Sequence, residues 1–185
     1  MTGKLKPSGM APLCALVIED NEHMRILLRT VLNAFGIRNI CECSEGSDGL
    51  KQLAAHKPDF VLADLSMAPM DGIGFTQAVR HLPDKGDCVL PIIMVTGHTE
   101  RRRVEAARDA GVSEILAKPV TAAGLFNRIE QIVLRPRPFV RSPNYCGPCR
   151  RRHSSPDYEG PWRRQDDADR GRVAVDLDDD MSKRG

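Results

Sequence analysis

No stretch of this chain is long or apolar enough to cross a bilayer as a helix. Its longest apolar run, Cys88 to Val95, is interrupted by Pro91 and falls well short of the ~20 residues a span needs. The N-terminus has no apolar core either. Met1 to Pro12 carries Lys4, Lys6, Pro7 and Gly9, so no secretory signal peptide is expected there, and the expectation is a cytoplasmic chain without membrane contact. Large aliphatic side chains become scarce after Leu134, where Pro136, Pro138, Pro143, Pro148, Pro156 and Pro161 interrupt any helix. That segment cannot bury a second core, so a disordered extension is expected over residues 135–185, beside a flexible N-terminus over 1–11. The chain holds 6 cysteines, which in this setting read as reduced thiols rather than a disulfide framework.

Neither sign of charge dominates the whole, at a net +2, but its distribution is uneven. Residues 13–134 carry 13 basic and 16 acidic groups, residues 135–164 a net of +6, and residues 165–185 a net of −3. A mildly acidic globule thus bears a basic and then an acidic tail.

What is present is a rhythm of short apolar runs, each ending on a polar group. Leu13 to Ile18 ends on Glu19-Asp20, Phe60 to Ala63 on Asp64, Ile92 to Val95 on Thr96, and Ile115 to Ala117 on Lys118. Runs rich in Val, Ile and Leu that alternate with helical segments read as buried strands of a parallel sheet. Asn39 to Cys43 supplies a further strand. Helices are predicted from an Asp20 or Asn21 cap to about Phe35, with Gly36 as the stop, and over 47–56, 72–81, 100–110 and 121–134. Strand then helix, five times over, predicts a doubly wound α/β fold with a five-stranded parallel sheet. Ligands of such sheets bind at the carboxyl ends of the strands, so all these polar groups converge on one rim.

Three acids, a hydroxyl and an ammonium on one rim suit phosphoryl chemistry. Adjacent acids facing a third match a hard divalent cation such as Mg2+, which takes carboxylate oxygens. A carboxylate beside that ion can attack phosphorus, while the Lys118 ammonium neutralises charge and the Thr96 hydroxyl hydrogen-bonds a phosphoryl oxygen. Gly97 leaves room for the donor.

Glu19-Asp20, the stretch Asp64-Leu65-Ser66-Met67-Ala68-Pro69-Met70-Asp71-Gly72, Thr96-Gly97 and Lys118-Pro119 together resemble the receiver domain of two-component response regulators. The resemblance covers roughly residues 12–134. It implies a CheY-like (flavodoxin-like) fold and a single-domain regulator in a phosphorelay. It makes Asp64 the phospho-acceptor, and Glu19, Asp20, Asp64 and the backbone carbonyl of Ser66 the Mg2+ ligands. Thr96 would follow the phosphoryl group, Lys118 would pair with it, and a cis Lys118-Pro119 bond is expected. The implied partners are a sensor histidine kinase or histidine phosphotransfer protein and an unnamed downstream protein. The chain would be no enzyme in the ordinary sense, but a phospho-acceptor able to catalyse its own phosphorylation and dephosphorylation.

Three positions depart from the family pattern. Ala68 separates Met67 from Pro69, Ile115 stands where the family commonly has Tyr or Phe, and His98 occupies a position that tunes dephosphorylation. Plainer readings exist as well. Glu19-Asp20 could cap the first helix, Asp64 and Lys118 could form an ordinary ion pair, His23 could be an exposed helix residue, and Arg101-Arg102-Arg103 a solvated face. In the tail, Cys146-Gly147-Pro148-Cys149 spells the thioredoxin motif. It also belongs to a repeat, Y-x-G-P-x-R-R at 145–151 and 158–164, whose second copy lacks both cysteines. A thiol-disulfide redox protein through Cys146 and Cys149, and a nucleic-acid-binding regulator through the arginines, are therefore the alternatives.

Overall fold

The computed structural model describes residues 10–97, 100–142 and 145–149. Five parallel strands form the central sheet: β1 (Cys14–Ile18), β2 (Asn39–Cys43), β3 (Phe60–Asp64), β4 (Ile92–Thr96) and β5 (Glu114–Ala117), in the order β2-β1-β3-β4-β5. Between them run α1 (Glu22–Ala34), α2 (Gly46–His56), α3 (Gly72–Arg80), the single turn α4 (Lys85–Cys88) and α5 (Arg101–Asp109). The helix α6 (Ala122–Leu134) follows β5. The doubly wound five-stranded fold expected from the rhythm of apolar runs is the one observed.

Alternation along the strands sorts their side chains onto two faces. Ala15, Val17, Phe60 and Leu62 pack with Leu28 and Leu32 of α1 and Leu125 and Ile129 of α6. Leu16, Ile18, Val61 and Ala63 pack with Leu53 of α2, Phe75 and Val79 of α3 and Ala107 of α5. Because β3 and β4 are covered on both faces, every one of their residues is buried. The ends of the helices follow local chemistry. Asn21 accepts the Met24 N–H, Asp71 the Gly74 N–H and Thr121 the Gly124 N–H, each satisfying an orphan donor of a first turn. Past α1, Gly36 takes φ +89°, the left-handed stop its position predicts.

The structure departs from the sequence reading beyond Leu134. Residues 139–142 and 145–148 do not dissolve into a tail but pair as the antiparallel strands of a hairpin, β6 (Phe139–Ser142) with β7 (Tyr145–Pro148). Phe139, Gly147 and Pro148 are buried against the domain. The anchor is Arg80 at the end of α3, 2% exposed, whose guanidinium lies 4.9 Å from the centre of the Phe139 ring. Arg80 donates Nε and Nη2 to the Gly111 carbonyl at 3.0 and 2.9 Å, and Nη1 to the carbonyls of Cys88 and Leu90 at 2.9 and 2.8 Å. Gly111 at φ +97° passes so close that a Cβ there would lie 2.4 Å from the Cys146 carbonyl oxygen. The hairpin is thus seated backbone to backbone, on a buried cation and a glycine, neither of which announces itself as apolar periodicity. The second copy of the Y-x-G-P-x-R-R repeat and the Arg-rich and acidic remainder lie outside the described residues. Among the described residues no helix is long and apolar enough to cross a membrane.

Candidate functional site

The parallel register carries the ends of β1, β3, β4 and β5 to one rim. Ile18 pairs with Ala63, Asp64 with Val95, and Thr96 with Ala117, so Glu19-Asp20, Asp64, Thr96 and Lys118 emerge side by side at the switch between β1 and β3. The carboxylate oxygens of Glu19, Asp20 and Asp64 lie within 4.8 Å of one another. Glu19 is 1% exposed and Asp64 5%, whereas Asp20 faces solvent.

One ammonium holds the buried acids. Lys118 Nζ lies 2.7 Å from Asp64 Oδ1 and 3.0 and 3.2 Å from the two oxygens of Glu19. The lysine is placed from its own backbone, whose N–H donates to the Thr96 carbonyl at 2.7 Å, and the Lys118-Pro119 bond is cis, as expected. Asp64 Oδ2 accepts the Ser66 N–H at 2.9 Å, which fixes the carboxylate plane across the strand end. Gly72 begins α3 directly against Asp64, where a Cβ would lie 2.3 Å from the Asp64 carbonyl oxygen. That close approach is one reason a glycine follows Asp71 at the start of α3. Thr96 is buried at the end of β4.

The charges are unevenly tolerated. Burial pushes the Glu19 carboxyl above the usual carboxylate range and the nearby Asp64 adds to this, against the pull of Lys118. For Lys118 burial lowers the ammonium, but the hydrogen bonds it donates to Asp64 and Glu19 and their charges outweigh this and raise it. The sign for Glu19 follows directly. A raised folded value favours the protonated acid, so its contribution is present below the ordinary 4.5 and lost as pH rises through the folded value. At neutral pH without metal the buried charge therefore opposes folding. Glu19→Gln is expected to raise the melting temperature in EDTA by a few degrees, a ~1 kcal/mol effect. A lower melting temperature in thermal denaturation would contradict this.

One arginine at the site, Arg25, is singled out by nothing in the sequence; a second, Arg103, belongs to the triplet read as a solvated face and is exposed there. Arg25 of α1 donates to the Glu19 carbonyl at 2.7 Å. Arg103 of α5 donates to Ser66 Oγ at 3.2 Å, while Arg101 instead pairs with Glu105 along the helix. Arg103, Asp20, Ser66, Met67 and Asp71 line an open cavity of about 460 Å³ beside the acids. No motif marks such residues, since their role depends on which loop faces them. Ile115, at the position of the usual aromatic, is half-buried against the core cluster that includes Phe75, Met94 and Ala107. His98 lies outside the described residues, and His23 is exposed on α1. Of the strand-associated cysteines only Cys88 is buried; Cys14, Cys41 and Cys43 are half-buried. The Cys146-Cys149 motif lies on and just after β7 rather than at a helix N-terminus, so the thioredoxin-like reading lacks its structural setting.

An acidic triad, an ion-paired lysine and a threonine thus meet at the carboxyl rim of a five-stranded parallel sheet. The sequence profile described as the response regulator receiver domain matches residues 15–130. The chain belongs to that family, and its place is in phosphorelay signalling. It is 34% identical over 120 residues to the chemotaxis protein CheY of Pseudomonas aeruginosa, covering 65% of this chain and 95% of that one. It is 33% identical over 138 residues to the transcriptional regulatory protein PdtaR of Mycobacterium tuberculosis, covering 74% of this chain and 65% of that one. Vibrio cholerae CheY4 shares the fold, with a TM-score of 0.61 at 21% identity over 65% of this chain and 98% of that chain.

Proposed function

We propose that Asp64 is the phospho-acceptor of a response-regulator receiver domain spanning about residues 12–134 and acting in the cytoplasm. The observation that carries this is the setting of its carboxylate, held between Lys118 Nζ and the Ser66 N–H with Glu19 and Asp20 alongside. An Asp64 oxygen attacks the phosphorus of a phosphohistidine on a sensor kinase or phosphotransfer protein. The new O–P bond forms as the N–P bond breaks, and the departing imidazole keeps the electron pair and takes a proton. Lys118 pairs with the oxygens of the transferred group, and the Thr96 hydroxyl donates to one of them.

The donor set fits Mg2+, because hard oxygen ligands from three carboxylates meet at one point and a single ammonium leaves them with excess negative charge. Glu19, Asp20, Asp64 and the Ser66 carbonyl would hold the ion. When bound it supplies positive charge for the phosphoryl oxygens. Catalysis by the chain is then limited to its own phosphorylation and dephosphorylation.

The output is a protein contact through the face formed by α5, β5 and α6, controlled by Thr96 at the end of β4. With Ile115 in place of an aromatic, the signal travels by repacking around an aliphatic side chain. Adding beryllofluoride with Mg2+ is expected to move backbone amide NMR shifts at Thr96 and Ile115 and on into α5. Unchanged shifts at those two residues would contradict the switch.

A further inference from the structure

A second cation reaches the acceptor loop from α5. Arg103 sits in the first turn of that helix, where its N–H donates to the Glu100 carbonyl at 3.0 Å. Successive helical residues turn by about 100°, and Arg101 lies instead along the helix, 2.8 Å from Glu105. Ala107, one turn after Arg103, is buried against the core, so position 103 stands on the inward edge of the helix. The helix begins at the carboxyl rim of the sheet, and helical side chains lean toward the N-terminus of their helix. Both effects carry the Arg103 guanidinium over the rim, where Nη1 donates to Ser66 Oγ at 3.2 Å.

The two cations near Asp64 differ in kind. Lys118, 2.7 Å from Oδ1 and bonded to both oxygens of Glu19, has its charge matched by buried carboxylates. On the other oxygen, Oδ2 accepts the Ser66 N–H at 2.9 Å, and the hydroxyl of that same serine accepts from Arg103. Among the described residues no carboxylate lies within ion-pair distance of Arg103. It is also the only cation among the described residues that line the open cavity of about 460 Å³. The acids of that cavity are committed elsewhere: Asp71 caps α3 through the Gly74 N–H at 2.7 Å, and Asp20 belongs to the acidic triad. Ser66 takes one of the five N–H donors of a guanidinium, whose planar fork matches the oxygens of a phosphoryl group.

We propose that Arg103 recognises the phosphodonor: its guanidinium binds the phosphoryl oxygens of a small acyl phosphate in this cavity and presents the phosphorus to Asp64. This role rests on Asp64 as the acceptor. An Asp64 oxygen attacks the phosphorus, the new O–P bond forms as the bond to the acyl oxygen breaks, and the carboxylate leaves with the electron pair. The phosphoryl oxygens are anionic before the attack as well as during it, so an arginine at the mouth binds donor and transition state alike. Uniform binding of this kind lowers KM and leaves kcat unchanged. The charge of the donor then sets the size of the effect. Near neutral pH an acyl phosphate is a dianion, whereas phosphoramidate carries a single net negative charge.

Initial rates of phosphorylation of the full chain, read by intact mass at saturating Mg2+, test this with acetyl phosphate and with phosphoramidate. For Arg103→Ala with acetyl phosphate, kcat/KM is expected to fall about fivefold through KM, the scale of one exposed charged contact. Arg103→Lys keeps the charge without the fork and is expected to recover part of that loss. Raising the salt to about 0.5 M is expected to narrow the gap between wild type and Arg103→Ala, and phosphoramidate to show a smaller gap than acetyl phosphate. An Arg103→Ala value of kcat/KM within about twofold of the wild type overturns the proposal. So does a loss confined to kcat, or one that neither salt nor Arg103→Lys changes, because an arginine that only braces Ser66 acts in that way. Asp64→Ala separates the two readings. Modification that persists in Asp64→Ala removes the acceptor itself, whereas Asp64-dependent phosphorylation with an unchanged Arg103→Ala rate removes only Arg103.

Discussion

Arg80→Ala is expected to lower the unfolding free energy by about 3–5 kcal/mol, the scale of a large buried side chain truncated without collapse of its site. The charge is not what stabilises. Desolvation drives the Arg80 guanidinium down to about 10 from its ordinary 12.5. A depressed folded value means that this contribution is present only above the unfolded value and is lost as pH falls through the folded one. At neutral pH the buried cation therefore opposes folding, and the gain must come from its bonds and packing. Four donor contacts reach the carbonyls of Gly111, Cys88 and Leu90, and the ring of Phe139 covers the guanidinium face. Truncation leaves those three carbonyls without the donors they now have, each worth about 1 kcal/mol or more when buried, and opens a void beneath the hairpin. Arg80→Lys keeps the charge but lacks the planar fork, so a loss of about 1–3 kcal/mol is expected there too. Urea unfolding reads both changes, and an alanine variant within about 1 kcal/mol of the wild type would contradict this account of the hairpin seat.

Lys118→Ala is expected to slow phosphorylation by small-molecule donors on the order of 10²-fold, the effect of removing one preorganised charged donor from a transition state. The geometry states why. A single Nζ contacts Asp64 at 2.7 Å and Glu19 at 3.0 Å, so its removal leaves two buried carboxylates facing each other with no cation between them. Burial already raises Glu19, and without the ammonium the incoming phosphoryl oxygens lose their positive partner. Rates with acetyl phosphate at saturating Mg2+ test this. A rate within about threefold of the wild type would remove Lys118 from the mechanism, since that is under 1 kcal/mol of barrier.

The parts legible in the sequence were those in which periodicity and position coincide. Glu19, Asp64, Thr96 and Lys118 each stand at the carboxyl end of a strand, and a parallel sheet places every such residue on one rim. Arg80 shows the opposite case. At the last turn of α3 an arginine reads as a solvated charge that complements the helix dipole, and only the fold brings Gly111, Leu90 and Phe139 around it. The hairpin was hidden for the same reason. Its strands are four residues each and one contains Pro148, so composition argued for a tail. The burial that holds it comes from residues up to 59 positions away, as with Arg80 and Phe139. Arg103 lay in an arginine triplet whose members look alike until one of them reaches Ser66.

The central claim is that Asp64 accepts a phosphoryl group, and intact-mass analysis after incubation with acetyl phosphate and Mg2+ tests it most directly. The expected result is a gain of one phosphoryl group in the wild type, none in Asp64→Ala, and none when EDTA is present. Equal modification of the wild type and Asp64→Ala, or an unmodified wild type with both acetyl phosphate and a panel of histidine kinases, would contradict it.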